Sequence, residues 1–197
     1  MQILRKAIVA MAVMALISVV LLLSSQGFAQ DGTKLEKSIH IQAQAMGQRT
    51  QLGQSFGVNL IIEEFSTPED QKALFDAFKA KGNAGLVNAI SKMKSKGRLA
   101  ITGTLGYDVN YIKKFDMPDG STKLRLVTDR PIRAGELWSD SRSRDYTLYG
   151  AEITLSPDKD KNSGILLPAC RFKIDKENNL QLQLLRNEWK LVEVRER

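Results

Sequence analysis

Alternation of apolar and polar positions predicts that the chain after residue 36 is rich in strands. In residues 37–46, every odd position from 39 to 45 is Ile or Ala, and the even positions between them are polar. A period of two is typical of a half-buried strand. The same alternation in residues 57–65 predicts a second strand, which the polar, glycine-containing stretch 47–55 joins to the first as a hairpin.

A change to helical spacing follows this hairpin. Thr67 supplies a capping hydroxyl just before Pro68, which suits the first position of a helix. Gly82 is placed to end that helix, and a second short apolar face continues until Gly97. The pattern predicts a helical hairpin after strand two. A DNA-binding helix-turn-helix has the same outline, but packing against a sheet explains the apolar faces more simply.

Beyond residue 98 the period returns to two and stays there. Seven further strands are predicted in this part of the chain: 99–105, 107–115, 123–128, 146–155, 165–174, 180–185 and 189–194. The sequence Pro118-Asp119-Gly120 is typical of a hairpin turn. We therefore predict an α+β fold, an antiparallel meander of about nine strands, with the helical hairpin inserted after strand two. The meander is expected to curl into a barrel-like or two-layer sheet.

The first 29 residues have the order of a secretory signal peptide. Arg5 and Lys6 precede an uncharged, mostly apolar segment, 7–23, and small residues including Gly27 and Ala29 follow it. Cleavage after Ala29 would leave residues 30–197 as a single exported domain, periplasmic or extracellular, with no transmembrane segment. The alternative is an uncleaved anchor, because segment 7–23 reaches the lower limit for spanning a bilayer.

Charge and cysteine content narrow the range of partners. Cys170 is the only cysteine, so no intrachain disulfide can form, and a small core residue is its simplest role. Removal of Arg5 and Lys6 lowers the formal net charge from +7 to +5. This mildly basic balance favours an anionic envelope component, such as a lipid headgroup or a cell-wall polymer. Export and the lack of a long basic run argue against nucleic acid.

Few residues suit catalysis, and none suggests a cofactor. His40 is the only histidine, which argues against a His/Cys zinc site and against a Ser-His-Asp triad. Carboxylate chemistry stays open, because many acidic residues could pair: Glu63, Glu64, Asp108, Asp129, Glu136, Asp140 and Asp145. Glu63 and Glu64 should point to opposite faces of a strand, which argues against a dyad between them.

The long irregular connection near residues 129–146 is the densest polar segment. Long connections inside compact domains are often functional. The candidate binding residues are Asp129, Arg130, Trp138, Arg142, Arg144, Asp145 and Tyr146. Alternatively, Arg/Asp pairs in this segment pin the loop to the sheet.

Several segments together resemble a family of exported bacterial hypothetical proteins of unknown function. They are Thr67-Pro68-Glu69, 84–98, Gly106-Tyr107-Asp108, 128–132, 141–146 and the final strands, so the resemblance spans about residues 63–194. It implies export and a single domain, and it brings no activity, ligand or catalytic residue. The stretch 135–138 departs from the family and leaves the role of its loop open.

The scarcity of catalytic residue types favours a non-enzymatic binding or interaction domain. Its ligand is expected to be a small apolar or amphipathic molecule, held in a pocket at the sheet or barrel mouth near residues 129–145. One alternative is a periplasmic or secreted carboxylate-dependent hydrolase. The other is a structural, envelope-associated protein.

Overall fold

A computed structural model describes residues 34–128, 148–174, 180–183 and 188–197. All of them belong to one compact unit, Gly32–Arg197. No helix in these ranges is long and apolar enough to span a bilayer. The signal-peptide prediction for residues 1–29 falls outside them and stays a prediction.

Ten strands and one long helical segment make up the described fold. The strands are β1 (Lys34–Gly47), β2 (Ser55–Glu64), β3 (Gly97–Ile101), β4 (Tyr107–Val109), β5 (Tyr111–Asp116), β6 (Thr122–Thr128), β7 (Leu148–Leu155), β8 (Ser163–Ile174), β9 (Leu180–Gln183) and β10 (Trp189–Glu196). The helical segment is α1 (Pro68–Ile90). The predicted α+β class is therefore confirmed.

The strands form one antiparallel sheet that curls into a half-barrel. Their order is β4-β3-β2-β1-β10-β8-β7-β6-β5, and β9 pairs with β8. The strands at the two ends of this order, β4 and β5, are consecutive in the chain and separated by Asn110 alone. The predicted barrel-like curvature is thus present. Asn110 also explains why ten strands are described where about nine were expected, because it divides the predicted strand 107–115.

The inner face of the curled sheet is filled by side chains. Trp189 is completely buried there, and its ring centroid lies 4.7 Å from that of Phe56. Its buried neighbours come from both halves of the sheet and include Ile41, Leu60, Ile62, Ile112, Leu124, Leu126, Tyr149 and Leu166. Such packing counts against a ligand that enters the sheet interior, so binding is better sought on the outside.

Segment α1 begins at a capping box and turns back on itself at Gly82. The Asp70 N–H donates to Thr67 Oγ1, and the Thr67 N–H donates to Asp70 Oδ2, both over 3.0 Å. Gly82 has φ +57°, outside helical values. A Cβ on Gly85 would lie 2.2 Å from the Ala77 carbonyl oxygen, whereas eight residues of straight helix rise about 12 Å. The predicted helical hairpin is confirmed.

The outer face of the sheet carries α1. Leu74, Leu86 and Ile90 of α1 share a buried cluster with apolar side chains of the sheet, among them Tyr111, Val127, Leu148 and Leu167. The apolar faces of the hairpin therefore pack against the sheet, as the simpler interpretation predicted. They give no support to the helix-turn-helix alternative. Cys170 belongs to the same cluster, and burial raises the pKa of its thiol to about 12. It is a core residue, as predicted.

Asn83 ties the turn of α1 to β8, and its loss should be measurable. Its Nδ2 donates to the Phe172 carbonyl oxygen (3.2 Å), and the Phe172 N–H donates to its Oδ1 (2.7 Å). Asn83→Ala leaves the backbone N–H and carbonyl of the buried Phe172 without these hydrogen bonds. We therefore expect the free energy of unfolding to fall by about 2 kcal/mol in urea denaturation. Asn88→Ala, at an exposed position of α1, is the control and should change it by less than about 0.5 kcal/mol.

Candidate functional site

The binding residues predicted in the long connection lie outside the described residues. This holds for all seven of them: Asp129, Arg130, Trp138, Arg142, Arg144, Asp145 and Tyr146. Their proposed role stays a prediction. The chemistry of the described surface therefore has to be judged from other side chains.

Two described carboxylates converge, but on a lysine rather than on an open cleft. Lys96 Nζ lies 2.5 Å from Glu64 Oε1 and 3.3 Å from Asp70 Oδ2, and only 7% of the Lys96 side chain is exposed. Burial by itself would lower the pKa of Lys96, but the hydrogen bond to Glu64 and the charge of Asp70 outweigh it and raise that pKa. Both carboxylates thus bind the same ammonium instead of facing a cleft that could admit a substrate. This cluster is suited to holding β2, α1 and β3 together.

The outer face of β5 and β6 presents two cations on one aromatic ring. Lys113 is paired with Arg125 in the register, and Phe115 is paired with Lys123. Lys113 Nζ lies 5.0 Å and Arg125 Cζ lies 5.1 Å from the centroid of the Phe115 ring. Both distances allow a cation–π interaction. The ring thus holds two like charges close together.

The two cations differ in how they are neutralised. Arg125 Nε donates to Glu152 Oε1 over 2.6 Å, and its Nη1 donates to the Leu180 carbonyl oxygen over 2.9 Å. Lys113 Nζ donates to Gln71 Oε1, a neutral acceptor. Within the described part of the chain no carboxylate forms an ion pair with Lys113. Burial, followed by the charge of Arg125, lowers the pKa of Lys113. A bound anion would oppose both effects.

A hollow between α1 and β9 opens beside these cations. It has a volume of about 290 Å³ and is lined by Pro68, Gln71, Lys72, Phe75 and Leu180. Gln71 also contacts Lys113, and the Leu180 carbonyl also accepts from Arg125. The hollow therefore has an apolar wall, made by Phe75 and Leu180. Its cations are Lys72, which lines it and pairs with Asp76, and Lys113 and Arg125, which contact the lining residues Gln71 and Leu180. We call the lining residues, together with Lys113 and Arg125, the helix–sheet hollow.

Two other depressions are less selective in their chemistry. The larger, about 750 Å³, lies between the 155–162 connection and the end of β10. Its charged lining is balanced, with three basic and three acidic residues: Lys159, Arg195, Arg197, Asp160, Glu193 and Glu196. The second, about 400 Å³, also mixes signs, since Lys123 and Lys190 face Glu152 and Glu188. Neither selects a ligand by charge.

Sequence patterns alone did not single out the helix–sheet hollow. Lys113 and Arg125 stand at polar positions of predicted strands, where charged side chains are ordinary. The Pro118-Asp119-Gly120 turn is the signal that could have found them, because it sets Lys113 opposite Arg125. A scan of protein-family models finds no family that matches the chain, and searches of curated proteins and of solved structures find no match either.

Proposed function

We propose that this protein is a non-enzymatic binding domain that holds a small amphipathic anion in the helix–sheet hollow. The apolar part of the ligand lies against Phe75 and Leu180, and its carboxylate or phosphate pairs with Lys113. One observation carries the proposal. Lys113 is a half-buried ammonium whose hydrogen-bond partner, Gln71, is neutral and lines the hollow next to Phe75 and Leu180.

The size and charge of the hollow support this ligand class. A volume of about 290 Å³ is at the lower end of small-molecule sites, which suits a short chain rather than a complete lipid. Such sites combine apolar walls with a few polar groups that fix orientation. Lys113 would supply that orientation, because an ionic hydrogen bond is about twice as strong as a neutral one.

The compartment and the competing functions stay proposals as well. The signal-peptide pattern and the family resemblance both imply export, so the ligand would be met in the periplasm or outside the cell. The hydrolase alternative gains no support from the described carboxylate pair, since Glu64 and Asp70 both bind Lys96. An envelope-associated role is compatible with ligand binding.

The test compares two adjacent lysines by isothermal titration with octanoate and octyl phosphate. Lys113→Gln removes the cation that has a neutral partner, whereas Lys72 and Arg125 are paired with carboxylates. It should weaken binding roughly ten- to a hundred-fold, as expected for an ionic hydrogen bond. Lys114→Gln is the matched control. It makes the same charge change on the opposite face of β5, where Lys114 pairs with Asp116 over 3.0 Å, and it should change affinity by less than about two-fold.

The pH dependence gives a second readout. Because the pKa of Lys113 is lowered from 10.5 in the free protein, binding should weaken as the pH rises through that lowered pKa. In Lys113→Gln this weakening should be absent. Equal losses in both lysine variants would show unspecific charge attraction and contradict the proposal, as would a wild-type protein that binds neither probe.

A further inference from the structure

Two leucine side chains are exposed to solvent at neighbouring turns of the sheet. Leu52, in the turn between β1 and β2, is 80% exposed, and Leu105, in the turn between β3 and β4, is 87% exposed. Turns ordinarily carry polar residues, glycine or proline at such positions. We call residues 48–54 and 102–106 the leucine turns.

The leucine turns lie side by side at one end of the sheet. β2 pairs with β3, so the start of β2 meets the end of β3, as Val58 opposite Ile101 shows. The Thr102 N–H also donates to the Gly57 carbonyl oxygen over 2.9 Å. The two hairpins are therefore separated by two strand spacings, about 10 Å.

Both turns are fixed in shape and protrude from the body of the protein. The Gly47 N–H donates to Gln54 O over 2.9 Å, and the Gln51 side chain beside Leu52 is buried. In the second turn the Thr104 N–H and its Oγ1 both donate to Ile101 O. A Cβ on Gly53 or Gly103 would meet no atom within 4 Å, so the space around both tips is open.

The leucine turns themselves contain no carboxylate. Residues 37–62 and 92–107 contain no Asp or Glu, and these stretches include both turns with most of β1 and β2 and the whole of β3. Arg49 is the one charged residue of the two turns, and it is exposed. Charges nearby come in opposite pairs, since Arg98 is paired with Asp108 in the register and Glu188 accompanies Lys190 beside Gln48. Met46, 38% exposed at the end of β1, adds apolar surface. The tips therefore combine apolar side chains with one exposed cation, Arg49, which would attract an anionic headgroup.

We infer that the leucine turns dock this protein on a lipid bilayer that carries anionic headgroups. Leu52 and Leu105 enter the boundary between headgroups and acyl chains, and Arg49 contacts the headgroups. Convex tips suit a soft interface that closes around each of them, whereas a protein partner would have to supply two matching pockets. This surface is separate from the helix–sheet hollow, so either proposal can fail alone.

Vesicle co-sedimentation of the unit Gly32–Arg197 tests the inference. This unit contains both buried clusters and excludes the apolar segment 7–23, which would bind lipid by itself. The wild-type unit should sediment with vesicles of phosphatidylcholine and phosphatidylglycerol, and less with phosphatidylcholine alone. Leu52→Ser with Leu105→Ser should lower the partition coefficient at least about ten-fold. Arg49→Gln should lower it a few-fold, only on the anionic vesicles.

Met117→Ser is the control, because Met117 is a partly exposed apolar residue (36%) that lies in a different turn, between β5 and β6. It should leave binding within about two-fold. All variants should keep the circular dichroism spectrum of the wild type, and the leucine and arginine variants should also keep its urea midpoint, since those side chains are exposed.

Three results would overturn the inference. The first is a wild-type unit that ignores anionic vesicles, and the second is an equal loss in Met117→Ser. The third is concentration-dependent self-association that disappears in the double leucine variant, which would assign the turns to a second copy of the chain. Octanoate titration on the same double variant keeps the two proposals apart, because the helix–sheet hollow is unchanged in it.

Discussion

Trp189→Ala is expected to lower the free energy of unfolding by about 4 kcal/mol. Trp189 is the largest fully buried side chain of the inner face and packs on Phe56. Truncation removes its contacts and leaves a cavity that neighbouring strands cannot fill, and the cost of such changes is typically 3–5 kcal/mol. This is a large part of the stability of an ordinary domain.

Urea denaturation followed by far-ultraviolet circular dichroism measures this effect without relying on tryptophan fluorescence. Met117→Ala is a suitable control, because its side chain is partly exposed in a turn, and it should cost less than about 0.5 kcal/mol. A loss below about 1 kcal/mol for Trp189→Ala would mean that the inner face is loosely packed, contrary to the structure.

Lys96→Met is expected to lower the free energy of unfolding by about 3 kcal/mol. The substitution leaves Glu64 and Asp70 without their shared cation in a region where both are largely buried. Removing one partner of a buried ion pair typically costs 3–5 kcal/mol, and the partial exposure of both carboxylates places this case at the lower end.

Lys94→Met is the matched control for Lys96→Met. Lys94 also reaches Glu64, at 3.8 Å, but its side chain is 80% exposed. It therefore loses the same charge next to the same carboxylate, and the cost should stay below about 0.5 kcal/mol because water screens the pair. Equal losses of unfolding free energy in the two variants would show that burial of Lys96 does not strengthen its ion pairs.

The pKa of Lys96 predicts a pH dependence with a definite sign. Since that pKa is raised above 10.5 in the folded state, the stabilisation is complete below 10.5 and is lost as the pH rises through the raised value. The stability gap between wild type and Lys96→Met should accordingly narrow at high pH. A gap that stays constant or widens there would disprove the assignment.

Local signals in the sequence sufficed for most elements. Thr67, Pro68 and Asp70 specify the start of α1 through a cap that involves only neighbouring residues, and the structure has that cap. The turn at Pro118-Asp119-Gly120 likewise joins β5 to β6 as predicted. Such features depend on a few consecutive residues, so they survive without knowledge of the tertiary fold.

Features that depend on distant partners were not predictable in this way. Gly97 was expected to stop the second helix, yet α1 ends at Ile90 and Gly97 opens β3. A Cβ on Gly97 would lie 2.2 Å from the Ile61 carbonyl oxygen, so the glycine is needed for the approach of β2. The candidate site also depends on distant residues. The hydrogen-bond partner of Lys113 is Gln71 of α1, and its neighbouring cation is Arg125 of β6.

The place of β10 in the sheet has a consequence for synthesis of the chain. β10 lies between β1 and β8, and it is made after all the other described strands. Until β10 is made, the other strands can form only two partial sheets, in which β1 and β8 are edge strands that lack their β10 partner. Exposed edge strands of this kind pair with other chains and cause aggregation. A premature stop codon before residue 189 should therefore yield aggregates rather than a slightly shorter protein.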